Sequence, residues 1–344
     1  MNDFFTLSNS DKLFIIKTTA DKVGLPVQAI EKDLWVTTVL QIVFSLSFAD
    51  KLVFKGGTSL SKVWKLTNRF SEDIDLAIAR EQLDLPEGDL TVKQIKKLRK
   101  QSSLFVKEAF CNELQDAVNK YNIADICTIT PQSDGEGDKT YPEPRKIFIR
   151  YSPLYDNIPY MKSEIVLEIG ARSLFEPTAK GNIKSMISEN TPVDTSFVNS
   201  KIITAVPEKT FLEKAFLLHE IFTSGGNMHA NRKSRHFYDL ERMMDCDFAI
   251  KAIVDNEFWE TIRHHREVFT RINDVDYTLD IRKRIVLIPP EQVIIEWRQD
   301  YEIMCNSMIY GNKLTFDELL KRIEELQERF RKQKKKALPQ EKIL

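Results

Sequence analysis

Two aspartates two positions apart, Asp73 and Asp75, stand in the run Glu72-Asp73-Ile74-Asp75-Leu76, where acidic and apolar residues alternate. That period predicts a strand, and a strand sends both carboxylates to one side, about 6 to 7 Å apart. Hard oxygen donors at this spacing suit Mg²⁺, which takes one or two carboxylates and completes its shell with water and substrate phosphate. Upstream, Gly56-Gly57-Thr58-Ser59 falls between the apolar run Leu52 to Phe54 and a helical stretch starting near Ser59. Glycines there let backbone N–H groups approach an anion, and the helix start adds further donors. Lys62, one turn on, and Arg69 add positive charge to such a cradle. Glycine turn, hydroxyl pair, short helix and acidic strand follow one another within a unit of β-α-β size, the order that holds a polyphosphate against a metal.

A two-metal phosphoryl-transfer site wants a third carboxylate. The later run Glu164-Ile165-Val166-Leu167-Glu168-Ile169-Gly170 places Glu164 and Glu168 on one strand face. Glu168 is the better candidate because the strand stops at Gly170, near where a site can open. The competing reading is a pair of charges that protects a sheet edge.

The elements that must position these residues are legible in outline. Helical spacing from Asp11 to about Phe48, broken at Gly24 and Pro26, predicts two helices. Strands are expected at Leu52 to Phe54 and Ile74 to Ile78, then at Ile126 to Thr130, Lys146 to Tyr151 and Glu164 to Ile169, with an exposed loop over Pro131 to Pro144. A long helix from about Thr91 to Tyr121 begins with Lys93, Lys96, Lys97, Arg99 and Lys100. Past Pro207 the periodicity is helical: Glu208 to Phe222, Arg232 to Met244, Phe248 to His265, Pro290 to Met304 and Phe316 to Lys335. The expected architecture is α/β (α+β): a mixed-sheet domain over residues 1–205, a helical domain over 206–330 that closes the cleft, and a basic flexible tail over 331–344.

The chain has 344 residues, 42% hydrophobic, enough for a substantial core. Fifty lysines and arginines meet 51 acids, so no global field draws it to nucleic acid, and any polyanion site must be local. Arg232 to Arg235 and Arg331 to Lys336 are such local basic runs beside Lys93 to Lys100. The four cysteines are too scattered for a disulfide framework or zinc ribbon, and no apolar run reaches the ~18 residues of a membrane span, so a cytoplasmic protein is expected. His264 and His265 point to different sides of a helix and do not suggest a shared metal.

The block GGTSLSK with RFSEDIDL resembles the signature of the nucleotidyltransferase superfamily, G-[GST] followed by a strand bearing D-x-[DE]. More closely, the chain resembles the AbiEii/AbiGii toxin family of bacterial nucleotidyltransferases. The similarity runs through IEKDLWV (Ile30 to Val36), FKGGTSLSK (Phe54 to Lys62), FSEDIDL (Phe70 to Leu76), VLEIGAR (Val166 to Arg172), PEKTFLEKAFLLH (Pro207 to His219) and SRHFYDL (Ser234 to Leu240). The resemblance implies the nucleotidyltransferase fold and an enzyme moving NMP from an NTP to an acceptor hydroxyl. It implies Asp73 and Asp75 on Mg²⁺ (or Mn²⁺), Glu168 as third acid, and Gly56, Gly57, Thr58, Ser59 and Lys62 about the triphosphate. Lys214 and Asp239 enter as further catalytic residues, the lysine neutralising phosphate and the aspartate orienting it. It also implies the toxin role of a type IV toxin–antitoxin or abortive-infection system, with an RNA acceptor such as tRNA and a cognate antitoxin as partners. Two other readings stay open: a catalytically idle nucleotide- or nucleic-acid-binding module, and a small-molecule transferase of the antibiotic-modifying type.

Overall fold

The computed structural model describes residues 4–135, 140–158, 161–196, 201–226, 228–278 and 280–332. The chain divides into two compact units, Met1–Val206 with Cys305–Lys313, and Pro207–Met304 with Leu314–Leu344.

The first unit opens with α1 (Asn9–Val23) and α2 (Val27–Val43). Gly24 ends α1 in the left-handed region at φ +76, a conformation that glycine adopts without cost, and Pro26 stands at the N-cap of α2. β1 (Leu52–Lys55), α3 (Gly56–Lys62) and β2 (Asp73–Ile78) follow. The expected helix near Ser59 begins earlier, at the glycines themselves, and stops at Lys62. The long helix is α4 (Val92–Phe105) and α5 (Cys111–Lys120), joined by a π-turn at Val106–Phe110. Then come β3 (Cys127–Pro131), β4 (Arg145–Tyr151), β5 (Glu164–Gly170), β6 (Thr178–Gly181), α6 (Met186–Asn190) and β7 (Ile202–Ala205).

The seven strands form one mixed sheet in the order β3-β4-β5-β2-β1-β7-β6. β2 runs parallel to β5 and antiparallel to β1, which puts the acidic strand near the middle. One face is core: Ile74, Leu76, Ile147, Ile149, Ile165, Leu167 and Ile169 are at most 2% exposed, and α2 packs on β2 and β5. Of the intervening residues on the other face, Asp73, Asp75, Glu164, Val166 and Glu168 are half-buried, whereas Ala77 and Gly170 at the far ends of β2 and β5 are buried. The period-two alternation therefore separates a sealed side from an open side, and the acids lie on the open one.

A late segment returns to this unit. Phe70 N donates to Met308 O (2.8 Å) and Tyr310 N to Asn68 O (3.0 Å), with Arg69 bridged to Ile309. Residues 305–313 thus belong with the sheet and not with the helical region where the sequence placed them.

The second unit is helical: α7 (Pro207–Thr223), α8 (Arg235–Met243), α9 (Asp247–Val254), α10 (Asn256–His265), α11 (Glu291–Ser307, its last turn in the first unit) and α12 (Phe316–Arg331). The single helix expected over Phe248 to His265 is two, because Asp255 caps α10 by accepting from Phe258 N. Of the basic tail, residues 333–344 lie outside the described residues. No helix among the described residues is long and apolar enough to cross a membrane, and all four cysteines are free thiols.

Candidate active site

The strand register brings the acids together. Asp75 pairs with Glu168 of β5 on one side and with Lys55 of β1 on the other, and Glu168 in turn pairs with Lys146 of β4. Residues paired across a sheet share a face, so Lys146, Glu168, Asp75 and Lys55 form one rank about 4.8 Å per step. The next rank is Thr130, Phe148, Val166 and Asp73. Glu164 falls beyond the first residue of β2 and is ion-paired with Arg150 at 2.7 Å. Of the two glutamates, Glu168 is the one beside the aspartates. Its carboxylate meets Lys146 Nζ at 2.6 Å, but both side chains are about a third exposed, and such a pair contributes at most about 1 kcal/mol. A cation next to Asp75 can therefore compete for Glu168.

The glycine turn abuts the same acids. Gly56 has φ +78, and a Cβ there would collide with Asp75 Oδ2 and stand 3.0 Å from its Cγ. Only glycine fits, both for the backbone conformation and for the carboxylate lying against it. The chain thus seats Asp75 directly on the turn that starts α3.

The hydroxyls and lysine of that helix are used internally. Thr58 is 1% exposed, its hydroxyl donating to Asp73 O at 2.5 Å and lying 2.7 Å from Ser71 Oγ. Ser59 donates to Gly56 O at 2.8 Å. Lys62, 6% exposed, spends its ammonium on Asp33 Oδ1 (2.5 Å), Thr37 Oγ1 (2.9 Å) and Lys184 O (3.2 Å), and burial pulls its pKa down against the pull of Asp33. Arg69 is 1% exposed and donates to Phe70 O at 3.3 Å. These residues fix the start of β2 and the pitch of α3. From this segment the open face receives the backbone of Gly56 and Gly57.

Sequence reasoning gave no part to Glu31, Lys32 and Asp33, which are 2%, 3% and 2% exposed on α2. Lys32 is ion-paired with Glu72, the residue before Asp73. Asp33 takes Lys62 and, at 2.7 Å, the N–H of Met186. Glu31 accepts from Leu154 N at 2.7 Å, and burial pushes its carboxyl up to about 7 against that bond. Three consecutive charges inside an otherwise apolar helix were the available signal.

In the helical unit, Lys214 and Asp239 do meet. Lys214 Nζ lies 3.0 Å from Asp239 Oδ2 and 3.4 Å from His236 Nδ1, with Asp239 fully buried. Nearby on α7, buried Glu220 is held by Arg266 and by the Tyr277 hydroxyl, each at 2.7 Å. Of the Arg232 to Arg235 run, the backbone N–H of Arg232 and Ser234 is tied to Asp300.

A family model for the nucleotidyl transferase AbiEii toxin of type IV toxin–antitoxin systems matches residues 39–322. The chain belongs to the AbiEii family. As a family member it is a nucleotidyltransferase and a toxin of a type IV toxin–antitoxin system. Among solved structures it is similar to MenT4, a nucleotidyltransferase toxin from Mycobacterium tuberculosis H37Rv, with a TM-score of 0.57 and 14% identity over 95% of this chain and 91% of that one. At that identity the likeness is one of fold. No curated protein matches.

Nucleotidyltransferases generally work with an NTP and a divalent metal. The donors present fit a hard cation held by two carboxylates and completed by phosphate oxygens: Asp73 and Asp75 share the open face, and Gly56 leaves room for Asp75 beside the turn. They do not form an all-protein cage, since no group of three or more His, Cys, Asp and Glu is gathered for a metal among the described residues.

Proposed function

We propose that this AbiEii-family toxin transfers NMP from an NTP to a hydroxyl of RNA, with tRNA as the favoured acceptor, in a Mg²⁺-dependent reaction. The observation that carries the reading is the seating of Asp75 against Gly56, with Asp73 on the same open face. Asp73 and Asp75 would hold the metal, and Glu168 would join them on release from Lys146. The metal, when bound, supplies positive charge to the triphosphate and the leaving pyrophosphate. The Gly56 and Gly57 backbone offers N–H groups to phosphate oxygens where no side chain intervenes. The acceptor oxygen forms a bond to the α-phosphorus as the bond to the β-phosphate oxygen breaks, its proton passes to solvent, and pyrophosphate leaves. Positioning and charge neutralisation supply the rate, and no side-chain nucleophile is required.

Incubation of the chain with Mg²⁺, each labelled NTP and total tRNA, beside Asp75→Ala, tests this. Label in RNA with the intact chain alone is the expected result. Nucleotide binding without turnover, or label only on a small-molecule acceptor, would refute it. Lys214→Ala provides a separate test: if Lys214 carries charge for the reaction, kcat falls while the melting curve of the chain stays cooperative.

A further inference from the structure

The open face continues past the acids. Following the rank of Asp73 outward, β5 contributes Val166, β4 Phe148 and β3 Thr130. Phe148, Thr130 and Arg150 line a cavity of about 700 Å³ together with Arg99, Gln132 and Glu143. Two strand spacings, about 10 Å, separate Phe148 from Asp73. Phe148 of the cavity and Asp73 therefore lie on one sheet face, with Val166 of β5 between them in the register.

Its chemistry is aromatic and cationic. The Arg150 guanidinium stands over the Phe148 ring, 5.5 Å from its centroid. The border carboxylates each hold a base: Asp134 takes Lys107 (2.6 Å) and Arg145 (2.5 Å), Glu143 takes Arg172, and Glu164 takes Arg150 itself (2.7 Å), a partly exposed pair that an incoming phosphate can displace. Arg99 belongs to α4, on which Lys93, Lys96, Lys97 and Lys100 are all exposed. Lys96 lies one turn before Arg99 on the same helix face, and Lys100 reaches over Tyr141 at 5.4 Å, next to the lining residues Pro142 and Glu143. In a chain whose formal charge is only −1, four exposed lysines beside Arg99 make a local patch. A ring in a cleft with arginines about it suits an unpaired base and its phosphates, whereas duplex RNA is read across its minor groove by shape.

We infer that this cavity receives the single-stranded end of the acceptor RNA, one base stacked on Phe148 and the phosphates directed to Arg99, Arg150 and the α4 lysines. The inference rests on the transfer reading above and adds where the acceptor lies: the terminal hydroxyl reaches Asp73 along the sheet face while the NTP stays at the Gly56 turn on the other side of the acids.

The test pairs transfer kinetics of the full chain, with KM measured separately for NTP and total tRNA, with fluorescence anisotropy of a labelled short single-stranded RNA. Phe148→Ala is expected to raise KM for tRNA and the Kd for the single strand about tenfold, with KM for NTP within twofold. Phe148→Trp restores both, which separates stacking from a folding defect. Lys96→Gln with Lys97→Gln and Lys100→Gln is expected to flatten the logarithmic salt dependence of RNA binding, its slope falling by about 0.7 for each phosphate that is no longer neutralised. A wild type that transfers normally, with Phe148→Ala leaving tRNA KM unchanged, overturns this inference and spares the transfer reading. A rise in KM for NTP instead gives the cavity to the donor and overturns it too. A wild type that transfers to no RNA refutes the transfer reading, and anisotropy that is then indifferent to Phe148 removes the RNA site as well.

Discussion

Two short stretches of the α/β unit carry clustered charge in opposite ways. On α2, Glu31, Lys32 and Asp33 are sealed in, and each meets a partner: the Leu154 N–H, Glu72, and Lys62 with the Met186 N–H. On β2, Asp73 and Asp75 have the same sign, stand side by side and are half open. Buried charges must be matched within the protein because desolvation costs several kcal/mol per ion. Like charges on an open face gain nothing for the fold, since they repel each other. Buried and matched marks framework, whereas open and alike marks a place prepared for a ligand.

The largest effect expected of this contrast is at Asp75. Asp75→Asn should lower kcat/KM about 10³-fold, about 4 kcal/mol, while the melting temperature holds or rises as repulsion is relieved. Transfer surviving that change would break the contrast outright. Lys62→Met should do the reverse, costing about 3 to 4 kcal/mol in urea denaturation because Asp33 is left buried beside nothing positive. A loss below about 1 kcal/mol would move Lys62 out of the framework.

Gly56→Ala sits between the two groups. It meets about 1 to 2 kcal/mol of backbone strain and pushes on Asp75, so transfer should fall about 10- to 100-fold with a melting shift of only a few degrees. Equal loss in both would mean that the turn serves stability alone.

The smallest effect is a pH dependence. With its carboxyl pushed up to about 7 from 4.5 by burial, Glu31 keeps in the folded chain a proton that the unfolded chain releases. Its contribution to stability is therefore lost as pH rises from 4.5 through 7. Glu31→Gln retains an acceptor for the Leu154 N–H, and should match wild type near pH 4.5 and exceed it by about 1 to 3 kcal/mol at pH 8. His219 in the helical unit has the opposite sign: burial pushes it down to about 4 from 6.5, so its contribution is present above 6.5 and lost as pH falls toward 4. Chemical denaturation across pH resolves both windows.

Much of the sheet was legible because its central strands alternate cleanly: Ile74 to Ile78, Lys146 to Tyr151 and Glu164 to Ile169 were expected, each within a residue of where it lies. β6, with the sequence Thr-Ala-Lys-Gly, and the four-residue β7 show no such pattern, since pairing with each other and with β1 makes them strands. At the site, the face of the acids follows from period two alone. The use of Thr58, Ser59 and Lys62 does not, because a hydroxyl or ammonium beside a glycine turn has the same local sequence whether it faces phosphate or a helix. For Lys62 the deciding partners are Asp33, Thr37 and the carbonyl of Lys184, distant in the chain. The return of residues 305–313 carries no local signal either, being a backbone pairing between segments some 240 positions apart.

That returning segment has a consequence for synthesis. The Phe70 and Asn68 backbone groups, just ahead of the acidic strand, wait for Met308 and Tyr310, which the ribosome adds some 240 residues later. A nascent chain therefore lacks the pairing that flanks its acidic strand until those residues have been made, so Asp73 and Asp75 gain that support long after they themselves are synthesised.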